Sequence, residues 1–474
     1  MTLPAAAPVC YFDVTDIVHY AAANARVSGI QRVQLNLIGH LVRRHGGEAV
    51  RCTFDHPRRK VIVEFDPSSL FETDELDSEM LLRRVGLAGR SRVFPSKTMM
   101  RRYLRPYSKR KFRRMAVKAG ILLSALLWPQ RLAPMGLRRP TARELAVVPV
   151  TLHPVAQLPR EARFVCLGAP WSHPRVIAFG REHAGRGGTV VQLIYDLIPL
   201  LRPEFVSRAM ADNFGRWLDD IVHHVRHFVC ISRWTQASMR EFVGARDGVR
   251  IDAVAMAHEF DGFARFAPVA PERGAAREAA SEPFVLCVGT LEDRKNGVAL
   301  LRAWQRLAPV LGTRLPRLVF AGQRGWSIQS FMAVLEGDPD LAKRVRLVDA
   351  PSDRELAFLY QRCLFTAFPS LSEGWGLPVG EAAWFGKFTL SSNATSLPEV
   401  CGPLVDYFDP AALDELCAAL QRALADPGYV RAKEQAIVHS ALRRWADVAD
   451  DLWSLVTGPT CPVQQEDQPP RRAP

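Results

Sequence analysis

Short apolar runs rich in β-branched residues alternate with amphipathic stretches along most of this chain. Residues 9–14 (VCYFDV), 163–168 (RFVCLG), 190–196 (VVQLIYD) and 227–232 (HFVCIS) read as buried strands, each ending near a polar residue or a glycine. A helical pattern follows the third of them, over 203–223. The same rhythm restarts at 284: strand FVLCVGT, helix 297–307, strand RLVFAG, helix 327–335, strand VRLVD, helix 353–362, strand LFTAFPS. This order predicts an α/β fold with parallel sheets covered by helices on both faces. Between the halves, residues 263–282 are rich in Ala, Pro, Arg and Glu and read as a linker. A last long helix is expected over 429–456, and a Pro-rich polar tail from 458 reads as disordered.

At 474 residues the chain is too long for one core and suits two domains. Its net charge of +13 favours anionic partners, but the charge is local. Residues 80–143 hold 18 Lys and Arg and no Asp or Glu; elsewhere acidic residues slightly outnumber basic ones. Within this insert, residues 97–128 interleave cations with Tyr103, Tyr107, Phe112, Leu122, Leu126 and Trp128. Such a segment can lie on an anionic membrane surface. RNA binding is the rival reading, though no RNA-binding module accompanies it; a merely solvated loop is the plain one. The nine cysteines are scattered with no C-x-x-C pair, which suits buried reduced thiols. No basic segment precedes an apolar core at the N-terminus, so no signal peptide is expected. The longest helix-like apolar stretch, ten residues over 119–128, falls short of the about 20 needed to span a bilayer. A cytoplasmic protein, peripheral on the inner face of the plasma membrane, is the expectation.

The segment richest in chemistry is 369–387, PSLSEGWGLPVGEAAWFGK. Glu373 starts a loop in which Gly374 and Gly376 allow a ligand close to the main chain. Pro378 suits a first helical turn, which places Glu381 about one turn inside a helix. Two carboxylates beside free helix N–H groups suit a nucleotide sugar, with hydroxyls on the carboxylates and diphosphate on the helix N-terminus. Taken singly, each Glu could equally be a surface or helix-start charge. A second loop, GTLEDRKNG, puts Arg294 and Lys295 at a helix entrance with Asn296 as its cap, a cation pair fit to stabilise a departing phosphate. Gly322 and Gly325 in FAGQRGW could let a base approach the backbone. Near the N-terminus, Gly29 precedes a helix starting about Ile30 in SGIQRV. Asp196 ends a strand, where it could accept a proton or simply cap the turn. Ser232 is placed to cap the next helix, with Arg233 available for an anion.

The spacing of Glu373 and Glu381 within EGWGLPVGE resembles the signature of family 4 glycosyltransferases, which are retaining enzymes of the GT-B fold. The resemblance is strong over 284–400, moderate over 190–256 and weak over 9–46, and leaves the basic insert uncovered. It implies two Rossmann-like doubly wound domains facing across a cleft: an acceptor-side domain, 1–262, carrying the insert; the linker; a donor domain, 283–426; and a C-terminal helix, 427–457, packing back on the first domain. It further implies that Glu381 binds the donor ribose and that Glu373 meets the transferred sugar. The backbone from Gly374 through Trp375 and Gly376 to Leu377 would contact sugar and phosphate. Lys295, supported by Arg294, would hold the diphosphate, with no metal or other cofactor. Gly29, with Arg32 nearby, would approach donor or acceptor, and Asp196 would stand near the acceptor hydroxyl. Two departures are visible. Thr290 replaces an Arg common after the strand's Gly, and Tyr195 replaces a common His before Asp196. The YDLIP string, 195–199, is similar to bacterial mannosyl- and rhamnosyltransferases. Transfer of a mannose- or rhamnose-like hexose from a nucleoside-diphosphate sugar to a hydroxyl of a growing saccharide, free or lipid-linked, in bacterial polysaccharide or lipopolysaccharide synthesis is therefore the leading expectation. A nucleotide-sugar hydrolase or epimerase on the same fold, and a non-catalytic membrane or nucleic-acid binder, are the alternatives.

Overall fold

The computed structural model describes residues 8–24, 29–71, 78–87, 104, 111–127, 146–270, 274–325 and 327–459. Most of the basic insert and most of the tail beyond 458 lie outside them.

The first half forms an eight-stranded sheet. Its strands are β1 Cys10–Asp13, β2 Val50–Asp55, β3 Ile62–Phe65, β4 His153–Pro154, β5 Arg163–Cys166, β6 Thr189–Ile194, β7 His227–Cys230 and β8 Arg250–Ala253, in the order β4-β3-β2-β1-β5-β6-β7-β8. Along that order the pairings from β2 to β8 are parallel, and β3 runs antiparallel to both its neighbours, β2 and the edge strand β4. The second sheet is wholly parallel, with strands β9 Phe284–Val288, β10 Arg317–Gly322, β11 Val345–Asp349, β12 Thr366–Phe368, β13 Thr389–Ser392 and β14 Asp406–Phe408. Their order, β11-β10-β9-β12-β13-β14, reverses direction between β9 and β12, the point at which doubly wound sheets bind ligands. Helices cover both faces, so strands such as β7 and β9 are buried throughout. That double burial is why they read as unbroken apolar runs.

The two halves share a core. Trp375, Val379, Leu397 and Val400 from the second pack with Val14, Ile231 and Met256 from the first. Helix Trp445–Thr457 crosses back and packs on helix Ile30–Ala49, burying Trp445, Val448, Leu452 and Val456.

Three expectations need correction. Residues 263–282 are not a bare linker: helix Ala275–Ala279 buries Ala276 and Ala279 against the second domain. The single helix expected over 429–456 is two, Pro427–Val438 and Trp445–Thr457, because the chain must turn between them to reach the first domain. The helix expected from 203 begins at Arg208, after a separate turn Pro203–Phe205, where the Ser207 hydroxyl accepts from Met210 N at 3.3 Å. Among the described residues no helix is long and apolar enough to cross a membrane. The eight described cysteines are unpaired, and seven of them are buried.

Candidate active site

The loops after β9 and β12 meet at the reversal point and are stitched together by the backbone. Leu371 N donates to Arg294 O at 2.8 Å, and Ser370 Oγ lies 3.2 Å from the same oxygen. This brings Glu373 between two cations. Its Oε1 accepts from Lys295 Nζ and from Ser370 Oγ, the latter at 2.6 Å, and its Oε2 lies 2.9 Å from Arg294 Nη1. Arg294 also reaches Glu292 at 2.9 Å and Ser372 O at 2.6 Å. Burial pushes the Glu373 carboxyl up, but the Arg294 and Lys295 charges outweigh it and hold the carboxyl down at about 2. Burial opposes the Arg294 charge too, and Glu373 and Glu292 restore it. Lys295 further lies over the Phe368 ring, 5.0 Å from its centroid. A cavity of about 230 Å³ opens beside it, lined by Gly289, Thr290, Lys295, Gly297, Phe320 and Phe331. Thr290 lines this space without supplying a charge.

The segment from Glu373 to Glu381 is held from below by the loop after β13. Thr395 Oγ1 accepts from Glu373 N at 2.9 Å and donates to Glu373 O at 2.8 Å. Ser396 Oγ donates to Glu373 O and Trp375 O at 2.9 and 3.1 Å. The Trp375 ring is buried in the shared core, which takes its side chain away from the cleft. Gly376, at φ 112°, leads into helix Leu377–Trp384, with Pro378 in its first turn. A Cβ on Gly374 would sit 2.0 Å from Tyr195 O of the first domain, so only glycine lets the two loops meet.

Glu381 is buried within that helix. Tyr360 Oη donates to its Oε2 at 2.9 Å, and Arg32 Nη1 to its Oε1 at 3.1 Å. Burial raises the Glu381 carboxyl, and Arg32 and Tyr360 hold it back only in part. Arg32 comes from the first domain, three residues after Gly29, which turns at φ 54° to start helix Ile30–Ala49, and it also pairs with Asp353 and lies over Phe260. The expected ribose carboxylate is thus already engaged across the cleft.

Asp196 stands at the end of β6, where its Oδ1 accepts from Ile198 N at 3.0 Å and so caps the turn. Burial pushes its carboxyl up, and Arg294 across the cleft draws it part of the way down. Tyr195 turns away: its hydroxyl donates to Leu167 O at 2.9 Å inside the first domain.

Several residues behave otherwise than the pattern suggested. Asn296 does not cap its helix; in a left-handed conformation, it donates through Nδ2 to Pro410 O at 3.2 Å. Gly322 serves packing between strand ends, since a Cβ there would lie 2.0 Å from Gly289 O. Ser232 does cap helix Arg233–Val243, accepting from Thr235 N at 3.0 Å. The anion at that helix start is the protein's own Glu399, which accepts from Arg233 N and Trp234 N at 2.8 Å each. Sequence reasoning missed Tyr360, Thr395, Ser396 and Glu399; the last three lie in the run SSNATSLPEV, 391–400, which has polar residues just after a strand and before a Pro. Among the described residues no group of three or more His, Cys, Asp or Glu is gathered as a metal site.

Residues 270–441 match the family described as "Glycosyl transferases group 1". The chain is 30% identical over 267 residues to the serotype-specific mannosyltransferase WbdA of Escherichia coli, covering 55% of this chain and 32% of that one. It is 34% identical over 146 residues to the O-antigen chain mannosyltransferase B of Escherichia coli, covering 31% and 38%. The chain thus spans about a third of the length of these curated relatives. Among solved structures, sucrose-phosphate synthase from Thermosynechococcus elongatus superposes with a TM-score of 0.56 at 16% identity, over 94% of this chain and 98% of that one. With its two parallel-sheet domains, the reversal point at β9 and β12 and this superposition over nearly the whole length, the chain has the GT-B fold.

Proposed function

We propose that the protein is a retaining glycosyltransferase. In this reading it moves a mannose- or rhamnose-like hexose from a nucleoside-diphosphate sugar to a hydroxyl of a growing, lipid-linked saccharide in bacterial polysaccharide or lipopolysaccharide synthesis. The observation that carries the reading is the buried Glu373 carboxylate held between Arg294 and Lys295 at the strand-order reversal. The names of the relatives, serotype-specific and O-antigen chain mannosyltransferases, support the sugar and the kind of product.

In this scheme the diphosphate sits in the cavity beside Lys295, and helix Leu377–Trp384, which follows Glu373 in the chain, offers free N–H groups at its start. Glu381 takes the ribose hydroxyls, and Glu373, kept ionised by its cations, orients the sugar. The bond from the anomeric carbon to the phosphate oxygen breaks while the acceptor oxygen bonds to the same face of that carbon. The acceptor proton passes to the departing phosphate oxygen, and the nucleoside diphosphate leaves. Lys295 and Arg294 stabilise the negative charge that develops on the leaving group. No metal enters the scheme. Asp196 orients the acceptor hydroxyl.

The same reading includes docking on an anionic membrane through residues 97–128. Within helix Lys111–Leu127, Phe112 is 85% exposed and Met115 66%, close to Arg113, Arg114 and Lys118, a combination suited to a lipid interface. Sedimentation with phosphatidylglycerol vesicles tests it; unchanged binding after deletion of 97–128 would refute it.

The donor site is tested by thermal shift against GDP-, UDP- and dTDP-sugars, with Glu381→Ala as control. A donor at 100 times its Kd stabilises the fold by about 2.7 kcal/mol. A shift with one nucleotide class, lost in the variant, supports the reading; no shift with any of them refutes it.

A further inference from the structure

The chain crosses between the domains twice, outward after β8 and back before helix Trp445–Thr457, and the two crossings meet at His258. His258 N donates to Arg443 O at 2.9 Å, and Arg443 N donates to His258 Nδ1 at 3.1 Å. On the other side of the ring, Nε2 lies 2.7 Å from Val400 O of the second domain. A carbonyl only accepts and a peptide N–H only donates, so these partners require a neutral ring with its proton on Nε2. A proton on Nδ1 would set N–H against N–H and break the bond from Arg443. Gly380 lets helix Leu377–Trp384 come close on a third side: a Cβ there would lie 3.2 Å from His258 Cα.

Val400 belongs to the short helix Leu397–Cys401, which directly follows Thr395 and Ser396, the two hydroxyls that hold the Glu373 backbone. Leu397 and Val400 pack in the shared core, and Glu399 accepts from Arg233 N and Trp234 N of the first domain. The loop that fixes Glu373 is therefore itself fixed from outside the second domain, at Glu399 by a helix start and at Val400 by His258.

We infer that His258 is a positioning residue for Glu373 that works only as the neutral ring, so that acid loosens the crossing and, through residues 395–400, the site carboxylate. The inference rests on the transfer reading for its effect on rate, but not for the joint itself. The carboxylates on the surrounding elements are all engaged elsewhere. Glu259 accepts from Trp445 N at 2.9 Å, Asp261 Oδ2 lies 3.0 Å from the Asn36 amide, Glu399 holds the helix start, and Glu381 holds Arg32 and Tyr360. The cations there are Arg265, on the outward crossing, and Arg443 and Arg444, on the return. Burial pushes the ring's pKa below its usual 6.5; the bond to Val400 O draws it back in part, and the Arg443 and Arg265 charges add to the fall. The joint's contribution to stability is thus whole above pH 6.5 and is lost as the pH falls through the lowered value.

Two measurements on the full chain test this. Nitrogen-15 NMR of histidine-labelled protein, with the His258 signals assigned by their loss in His258→Gln, should show the Nε2–H tautomer at pH 8. Initial transfer rates are then measured from pH 8 to pH 5. Gln offers one donor and one acceptor to the same partners and does not titrate. His258→Gln should therefore transfer close to the wild-type rate at pH 8. Its rate relative to wild type should rise as the pH falls, by about tenfold for each unit below the folded pKa. His258→Ala, which offers neither bond, should be slower by about tenfold or more at either pH. The inference is overturned if the ring at pH 8 is protonated or carries its proton on Nδ1, if His258→Gln keeps the wild-type acid fall, or if His258→Ala transfers like wild type. A wild type with no transfer at any pH would sink the transfer reading instead. The joint would then be judged by the NMR and by urea midpoints, whose acid fall His258→Gln should lessen; an equal fall in both proteins would overturn it.

Discussion

Arg32 of the first domain donates to Glu381 of the second at 3.1 Å across the cleft, joining residues 349 positions apart. The same guanidinium pairs with Asp353. Both members of the Arg32–Glu381 pair are largely shielded from water, so removing one strands the other. Arg32→Ala is therefore expected to destabilise the protein by about 3 kcal/mol, read from urea midpoints. Arg32→Lys should recover less than half of that, since one ammonium cannot serve two carboxylates as a guanidinium does. Wild-type midpoints in both variants would show that the pair does not fasten the domains.

Glu373 makes acid stability a direct readout of its ion pairs. Its folded carboxyl stands at about 2, below the ordinary 4.5, so its stabilisation is complete above pH 4.5 and is lost as the pH falls toward 2. The shift corresponds to about 3 kcal/mol. Glu373→Gln should thus be less stable than wild type by about that amount at pH 7, with the gap closing toward pH 3. A gap that stays constant with pH would contradict the assigned pairing.

Gly374→Ala tests the contact between loops. The added methyl would collide with Tyr195 O, a backbone atom that yields only if the cleft opens. A stability loss of about 2 kcal/mol and a fall in transfer rate of about a hundredfold are expected, measured by urea titration and initial rates. An active, stable variant would show that the cleft is open when the enzyme works.

Thr395 adopts a left-handed backbone, φ 53°, while its hydroxyl grips both the N–H and the C=O of Glu373. Thr395→Val leaves that N–H buried and unpaired and should cost about 1–3 kcal/mol by urea denaturation. A change below about 0.5 kcal/mol would mean that water or a neighbour replaces the hydroxyl.

The parts of this molecule that could be read from sequence are those with local causes. Strands buried on both faces announce themselves as apolar runs, which placed Glu373, Arg294 and Lys295 just after strands, and Pro378 after a glycine loop announces a helix start, which placed Glu381 inside that helix. What could not be read depends on chain segments far apart. That Arg32 reaches Glu381, or that Gly374 abuts Tyr195, follows from how the domains meet. The break between Val438 and Trp445 carries neither Pro nor Gly; it exists because helix Trp445–Thr457 must return to helix Ile30–Ala49. Asn296 looked like a cap because Asn often is one, but here tertiary contact with Pro410 decides its conformation.

The central claim, sugar transfer at the Glu373–Lys295 site, is tested most directly by mass spectrometry. The protein is incubated with the nucleotide sugar that shifts its melting and with methyl α-D-mannopyranoside as acceptor. The account predicts a product heavier than the acceptor by one hexosyl residue, with its rate lowered by about a hundredfold or more in Lys295→Ala. Free sugar formed at the same rate with and without acceptor, or an unchanged rate in Lys295→Ala, would contradict it.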